Sequence, residues 1–348
     1  MPGETVVWLG LAIGLLFGAV GQYSGFCLQS GLRGWWGEGD PRKVRTFALA
    51  AAIALVASQA LDAAGLVPLE RSIYPLATFS IPVILVGGAL FGYGMVLANG
   101  CGARALVLLG SGNLRSLYVL LILGVSAQAT LTGLLAPTRV SVAGSTGSTF
   151  AATTLPGVVG DALGPDLARW LAVAVIGGAL LAFAFANRAF RASPSQIAAG
   201  LVVGLLVAAG WYVTGHVGAD DFDPRPVASL TFIAPIAAGI QYVMLSTGIA
   251  LGFGVAVVGG VIAGSALMAI PRRQFRLAGF SGPGLMLRYA AGATLMGVGG
   301  ALALGCSIGQ GLTGFSTLAL ASLVAVAGIL IGSALGIRGP VSVAVPSQ

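Results

Sequence analysis

Apolar runs of about 20 residues recur along this 348-residue chain, and the short stretches between them hold most of its arginines. That length is what an α-helix needs to cross a hydrocarbon core about 30 Å thick. With 57% hydrophobic and 8% charged residues, the chain lacks the polar surface of a water-soluble globule. Lipid offers no hydrogen bonds to the backbone, so spans must satisfy themselves as helices. The sequence therefore reads as one all-α polytopic membrane domain over residues 1–348.

Taken in order, the expected spans fall at 5–22, 47–61, 79–101, 114–135, 168–186, 197–213, within 231–270, at 280–306 and at 318–335. The 231–270 stretch is too long for one crossing and divides into a half-helix and a full span. This makes about nine transmembrane helices plus re-entrant or half-helical segments. Met1 to Glu4 has no basic n-region, so the first run is expected to be a span and not a cleaved signal. Arg33, Arg42, Lys43 and Arg45, then Arg188 and Arg191, then Arg272, Arg273 and Arg276, and last Arg338, alternate with Asp62 and Glu70 and with Asp220, Asp221 and Asp223. The positive-inside rule puts the basic set in the cytoplasm, which places the N-terminus outside and the C-terminus inside a cell inner membrane. It also accounts for the net charge of +7 without nucleic acid as a partner. Residues 141–154, rich in Ser, Thr and Gly, read as an exposed external loop.

The chain holds 55 glycines, well above the usual ~7%, and glycine in membrane helices allows close backbone approach and non-helical breaks. Three glycine-spaced runs end in its only cysteines, as Ser24-Gly25-Phe26-Cys27, Asn99-Gly100-Cys101 and Leu304-Gly305-Cys306. Non-helical backbone at membrane depth is tolerated only where it is buried in protein or lines a wet cavity. Three thiols at such breaks suggest a pathway.

An internal repeat supports the count. Gly10-Leu11-Ala12-Ile13-Gly14-Leu15-Leu16 answers Gly200-Leu201-Val202-Val203-Gly204-Leu205-Leu206, and Gly87, Gly92, Gly94, Gly100 and Cys101 answer Gly292, Gly297, Gly299, Gly305 and Cys306. The expected topology runs matching spans in opposite directions. The halves, about 5–170 and 195–338, then form an inverted repeat, the plan of transporters with a site near the midplane. At the first offset Cys27 falls opposite His216 and Val217, so one thiol has no mate.

A lone buried cysteine is usually a small hydrophobe, and that reading stands beside the functional one for Cys27, Cys101 and Cys306. A thiol is a soft, weak donor and acceptor, suited to a sulfur-bearing anion and to the weak serial binding that conduction requires. Arg104 either attracts an anion or snorkels to the interface; Arg33 and Arg115 read better as interfacial arginines. Backbone N–H groups after Gly100 and Gly305 are candidates for anion contact. Gln22, Gln29, Asn99, Ser307 and Gln310 either line the path or satisfy freed backbone. His216, the only histidine, reads as a surface residue. With no C-x-x-C pair and no metal-ligand spacing, the chain calls for no metal and no cofactor, and no carboxylate lies mid-span to carry a proton.

These cysteine segments, with Gly100-Cys101-Gly102-Ala103-Arg104 and Gly305-Cys306-Ser307-Ile308-Gly309-Gln310-Gly311, make the chain resemble the YeeE/YedE family of membrane proteins, which contains thiosulfate transporters. The resemblance implies an hourglass-shaped bundle through which thiosulfate passes by successive S–H···S hydrogen bonds to Cys27, Cys101 and Cys306. It also implies a non-enzymatic role and a separate TusA-like cytoplasmic sulfurtransferase as partner. The alternatives are another sulfur or selenium species as substrate, a membrane thiol or persulfide redox protein, and an assembly subunit with no substrate of its own.

Overall fold

The computed structural model describes residues 2–220 and 226–339; Asp221 and Asp223 of the acidic cluster lie outside them. In order, the helices are α1 (Pro2–Ser24), α2 (Leu28–Arg33) running into a π turn (Gly34–Glu38), α3 (Arg42–Ala63), α4 (Ile81–Leu97), α5 (Gly102–Gly110), α6 (Leu114–Leu131), α7 (Ala136–Ser145), α8 (Leu155–Leu163), α9 (Pro165–Phe185), α10 (Arg188–Arg191), α11 (Pro194–Tyr212) with a π turn (Val213–Val217), α12 (Ile233–Leu245), α13 (Phe253–Ala269), α14 (Pro283–Leu302), a π turn (Gly309–Gly314) and α15 (Leu320–Arg338). Among the described residues, eight helical stretches are long and apolar enough to cross a membrane. With α13, a 17-residue apolar helix, they match the nine spans expected. The protein is an all-α multi-pass membrane protein.

Glycine sets how the spans meet. A side chain at Gly14 or Gly18 of α1 would strike the backbone oxygen of Val257 or Val261, and one at Gly264 would come within 2.0 Å of the Leu15 oxygen. These contacts advance together along both chains, so α1 and α13 lie parallel with backbones nearly touching. Gly88 and Gly92 against Ala325 and Ile329, and Gly328 and Gly332 against Leu85 and Ala89, fix α4 parallel to α15 in the same way. In contrast, Gly87 faces Gly299 while Gly94 faces Gly292. Helix α4 therefore crosses α14 antiparallel, although the two carry the same glycine spacing.

The helix ends sort by charge. At one end, Arg45 donates to the Phe183 carbonyl, Arg338 to the Trp36 carbonyl, Arg115 to the Gly279 carbonyl at 2.6 Å and Gln196 to the Ser24 carbonyl at 3.0 Å. Arg272 stacks over the Tyr23 ring at 4.3 Å. At the opposite end, Arg169 pairs with Asp62 at 3.1 Å, and the 64–80 loop buries Leu69 and Tyr74.

Two sequence expectations need revising. The fourth span stops at Leu131, four residues early. Residues 141–154 are more ordered than a loop: they continue α7 and then pair β2 (Ser148–Thr149) antiparallel with β1 (Thr78–Phe79). Stacking of Phe79 on Phe150 at 4.5 Å and a 2.6 Å hydrogen bond between the Ser80 and Thr146 hydroxyls hold this flap on the N-terminus of α4. The segment looked structureless because its order comes from pairing with a strand about 70 residues away.

Candidate functional site

Each cysteine stands where a span breaks and a half-helix or turn begins. Cys101 caps α5 because α4 ends in a closed loop: Asn99 takes φ +56°, and the Gly100 N–H reaches back to the Met95 carbonyl at 2.9 Å. The second break repeats this 205 residues on, with Leu304 at φ +59° and the Gly305 N–H donating to the Gly300 carbonyl at 2.8 Å. Left-handed backbone suits Asn but costs a leucine roughly 1–2 kcal/mol, a strain that persists only where the surroundings enforce it. Cys27 caps α2 after Gly25 at φ +67°.

All three thiols are free and no more than 2% exposed. The Cys27 and Cys101 thiols hydrogen-bond to each other. The Arg104 backbone N–H faces the Cys101 sulfur, its guanidinium acts electrostatically on Cys27, and its Nη1 donates to the Gly21 carbonyl at 3.4 Å. Cys306 Sγ accepts from the Gly309 N–H at 3.2 Å and is also faced by the N–H groups of Phe232 and Ile308. Ser307, next to Cys306, places its hydroxyl beside the Cys101 thiol. The two breaks thus meet through adjacent residues.

The surroundings carry unused polar capacity. Ser307 Oγ, Gln29 Nε2, Gln310 Oε1 and Ser322 Oγ are buried without a hydrogen-bond partner of good geometry. Each such group costs ~1–3 kcal/mol. Gln310 spends its amide donor on the Ala303 carbonyl at 2.7 Å, satisfying backbone freed by the break. Its oxygen and Ser322 Oγ converge where Gly314 has no side chain, and the Tyr74 ring closes that space. Tyr74 hydrogen-bonds Thr231, lies beside Cys306 and packs edge-on against Trp211.

Of the residues singled out in the sequence, Cys27, Cys101, Cys306, Gly100, Gly305, Arg104, Ser307 and Gln310 are brought together. Gln22 is not: it donates to Gln274 at 3.2 Å and accepts from Ser265 at 3.5 Å, joining the ends of α1 and α13. His216 is exposed and stacks on Tyr212 at 4.9 Å. Its match with Cys27 does not hold. Cys27 caps α2, whose counterpart between α11 and α13 is α12, capped by Phe232. An insertion between α11 and α12 shifts the offset from 190 to 205. Phe232 is fully buried, with its ring 5.3 Å from Phe17.

Tyr74, Thr231 and Arg288 escaped the sequence reading. Arg288 had a signal, being the only charged residue of α14; Tyr74 had none, sitting in an ordinary-looking loop. Arg33 is not merely interfacial, since it pairs with Glu38 at 3.2 Å and turns inward to donate to Asn99 at 3.4 Å.

Residues 23–335 match the family model described as sulphur transport. The thiosulfate transporter TsuA of Spirochaeta thermophila is 26% identical over 347 residues, covering 94% of this chain and 97% of that one. The protein of the same name from Escherichia coli is 26% identical over 323 residues, covering 88% and 87%. The matched range includes all three cysteine-bearing breaks. The chain belongs to the sulphur transport family, that of the YeeE/YedE membrane proteins.

Proposed function

We propose that this transporter carries thiosulfate inward across the cytoplasmic membrane by a relay of thiols. The observation that carries the reading is the convergence of Cys27, Cys101 and Cys306 in one buried cluster whose neighbours retain unused hydrogen-bonding atoms. A buried arginine would bind an anion tightly; a neutral thiol holds the terminal sulfur weakly and releases it. Both relatives are named thiosulfate transporters, which supports this substrate among sulfur anions. Helices α4 and α14 cross antiparallel with matching breaks, which supports reading residues 5–170 and 195–338 as inverted repeats closing an hourglass from opposite faces. In this reading the anion meets Cys306, beside Tyr74, from the acidic end and leaves from Cys27 and Cys101 toward the basic end. In this reading the basic end is cytoplasmic, and a separate TusA-like sulfurtransferase receives the cargo there.

The test is growth of a host lacking its own thiosulfate uptake, with thiosulfate as sole sulfur source. Wild-type protein restores growth, and Cys27→Ala, Cys101→Ala and Cys306→Ala do not while remaining in the membrane at wild-type levels. Growth with all three variants would remove the relay. A Cys27–Cys101 disulfide required during turnover would favour the redox reading instead.

A further inference from the structure

Beside the thiols the bundle opens sideways. A cleft of about 240 Å³ lies between α2 with its π turn, α3, α9 and α15. Among the described residues, and apart from the indoles of Trp35 and Trp36, the one polar side chain in its wall is Ser307. Ser307 follows Cys306 directly, is fully buried, and its Oγ has no hydrogen-bond partner of good geometry. Of the lining residues, Val44 stands in the first turn of α3, at the basic end, whereas Val326 stands twelve residues before Arg338, about 18 Å along α15. The cleft therefore runs from headgroup depth to near the middle of a hydrocarbon core about 30 Å thick. Trp35 and Leu330, 40% and 36% exposed, mark where it opens on the side of the bundle.

The mouth is basic. Arg45 lies over the Phe183 ring at 4.5 Å and donates to the Phe183 carbonyl, and Arg338 donates to the Trp36 carbonyl at 2.8 Å. Phe183 and Trp36 both line the cleft. The carboxylates of the adjoining loop are already taken, Glu38 by Arg33 and Asp40 by Arg42. Tryptophan and arginine at the end of an apolar slot are the residues that sit at a membrane interface. The second half of the chain supplies a contrast. At the offset of 205, Phe47 and Ala48 answer Gly252 and Phe253, which line a second cleft of about 440 Å³ bounded by α12 and the start of α13. That cleft also ends at a hydroxyl near Cys306: Thr231 lies against Gly309, whose N–H donates to Cys306 Sγ. Its lining holds no charged residue.

We propose that the first cleft holds an anionic phospholipid of the leaflet at the basic end, with one acyl chain filling the slot as far as Ser307 and the phosphate against Arg45 and Arg338. A flexible chain fits a slot of this size, whereas a partner helix, about 10–12 Å across with its side chains, does not. Lipid tails are as apolar as the walls, so the chain supplies the fit and the headgroup supplies the selectivity. Basic side chains at this depth attract anionic headgroups, and a neutral phospholipid gains only the fit. A chain end against Ser307 keeps water from reaching the thiols through the side of the bundle. The site stands whatever anion the transporter carries.

The test is the melting temperature of the purified full-length protein in detergent, titrated with dioleoyl phosphatidylglycerol or dioleoyl phosphatidylcholine. In the wild type the phosphatidylglycerol midpoint lies about tenfold or more below the phosphatidylcholine midpoint. In Arg45→Gln and in Arg338→Gln the phosphatidylglycerol midpoint rises about fivefold, the share of one basic side chain near an anionic lipid. In Ala48→Leu and in Ala51→Leu, which fill the slot, the preference for phosphatidylglycerol disappears. Two variants at each end of the site guard against one of them misfolding, and each shows its own cooperative melt in detergent alone. Equal midpoints for the two lipids in the wild type overturn the site, as does a preference unchanged in both arginine variants or in both slot variants. An equal response to inorganic phosphate would make this a site for free anions and overturn it as well.

Discussion

Among single residues, the site holds a strained backbone position and buried polar atoms without a partner of good geometry. Leu304 holds a backbone conformation costing roughly 1–2 kcal/mol, partly offset by its packing against the Phe79 cluster. Asn99 holds the same conformation in the first half without that strain, and its side chain accepts from Arg33. Phe232 is a packing residue, set against Phe17. Phe232→Ala removes a fully buried ring and should lower stability by about 3–5 kcal/mol, read as a fall in melting temperature. Cys306→Ala, which deletes one small buried atom, should cost about 1 kcal/mol. A loss of uptake in the second variant is thus functional, whereas in the first it is structural. The sequence marked the cysteines and the glycines before them. The contact between the Cys27 and Cys101 thiols was not legible, since it depends on how α2 and α5, about 70 residues apart in the chain, are seated by the spans around them.

Among the helices, close contact through glycine is what brings the breaks together. A side chain at Gly332 would lie 1.9 Å from the Ala89 backbone oxygen, and backbone cannot turn aside as a flexible side chain can. Gly332→Ala should therefore exceed the ~1–3 kcal/mol usual for overpacking, forcing α4 and α15 apart. A methyl added at Gly178, on α9, would meet no atom within 4 Å; Gly178→Ala should be neutral or stabilising by about 0.5 kcal/mol. Melting temperatures of the two variants check this contrast, and equal effects would contradict packing through glycine. The sequence disclosed the spans through their apolar length and the breaks through glycine. It misaligned Cys27 with His216 because an insertion between α11 and α12 changes the offset, and a local match of glycines does not see insertions downstream of it.

For the molecule as a whole, the orientation proposed above puts Asp62 and Glu70 outside and Arg45, Arg191 and Arg338 inside. In a variant lacking the native thiols, a cysteine introduced as Ser145→Cys should react with an impermeant maleimide from outside intact cells. One introduced as Arg191→Cys should react only after lysis. The reverse pattern would invert the direction of transport proposed here. Composition and apolar length sufficed for the bundle; the orientation rests on arginine spacing alone. The contacts among the buried cysteines and their neighbours depend on packing that composition does not encode.

Whether the thiols themselves pass thiosulfate is decided by entry of the labelled anion into liposomes that contain this protein and no other. Saturable entry is expected through the wild type, and background entry through Cys27→Ala, Cys101→Ala and Cys306→Ala reconstituted at equal density. Background entry through the wild type, or saturable entry through all three variants, would contradict the relay.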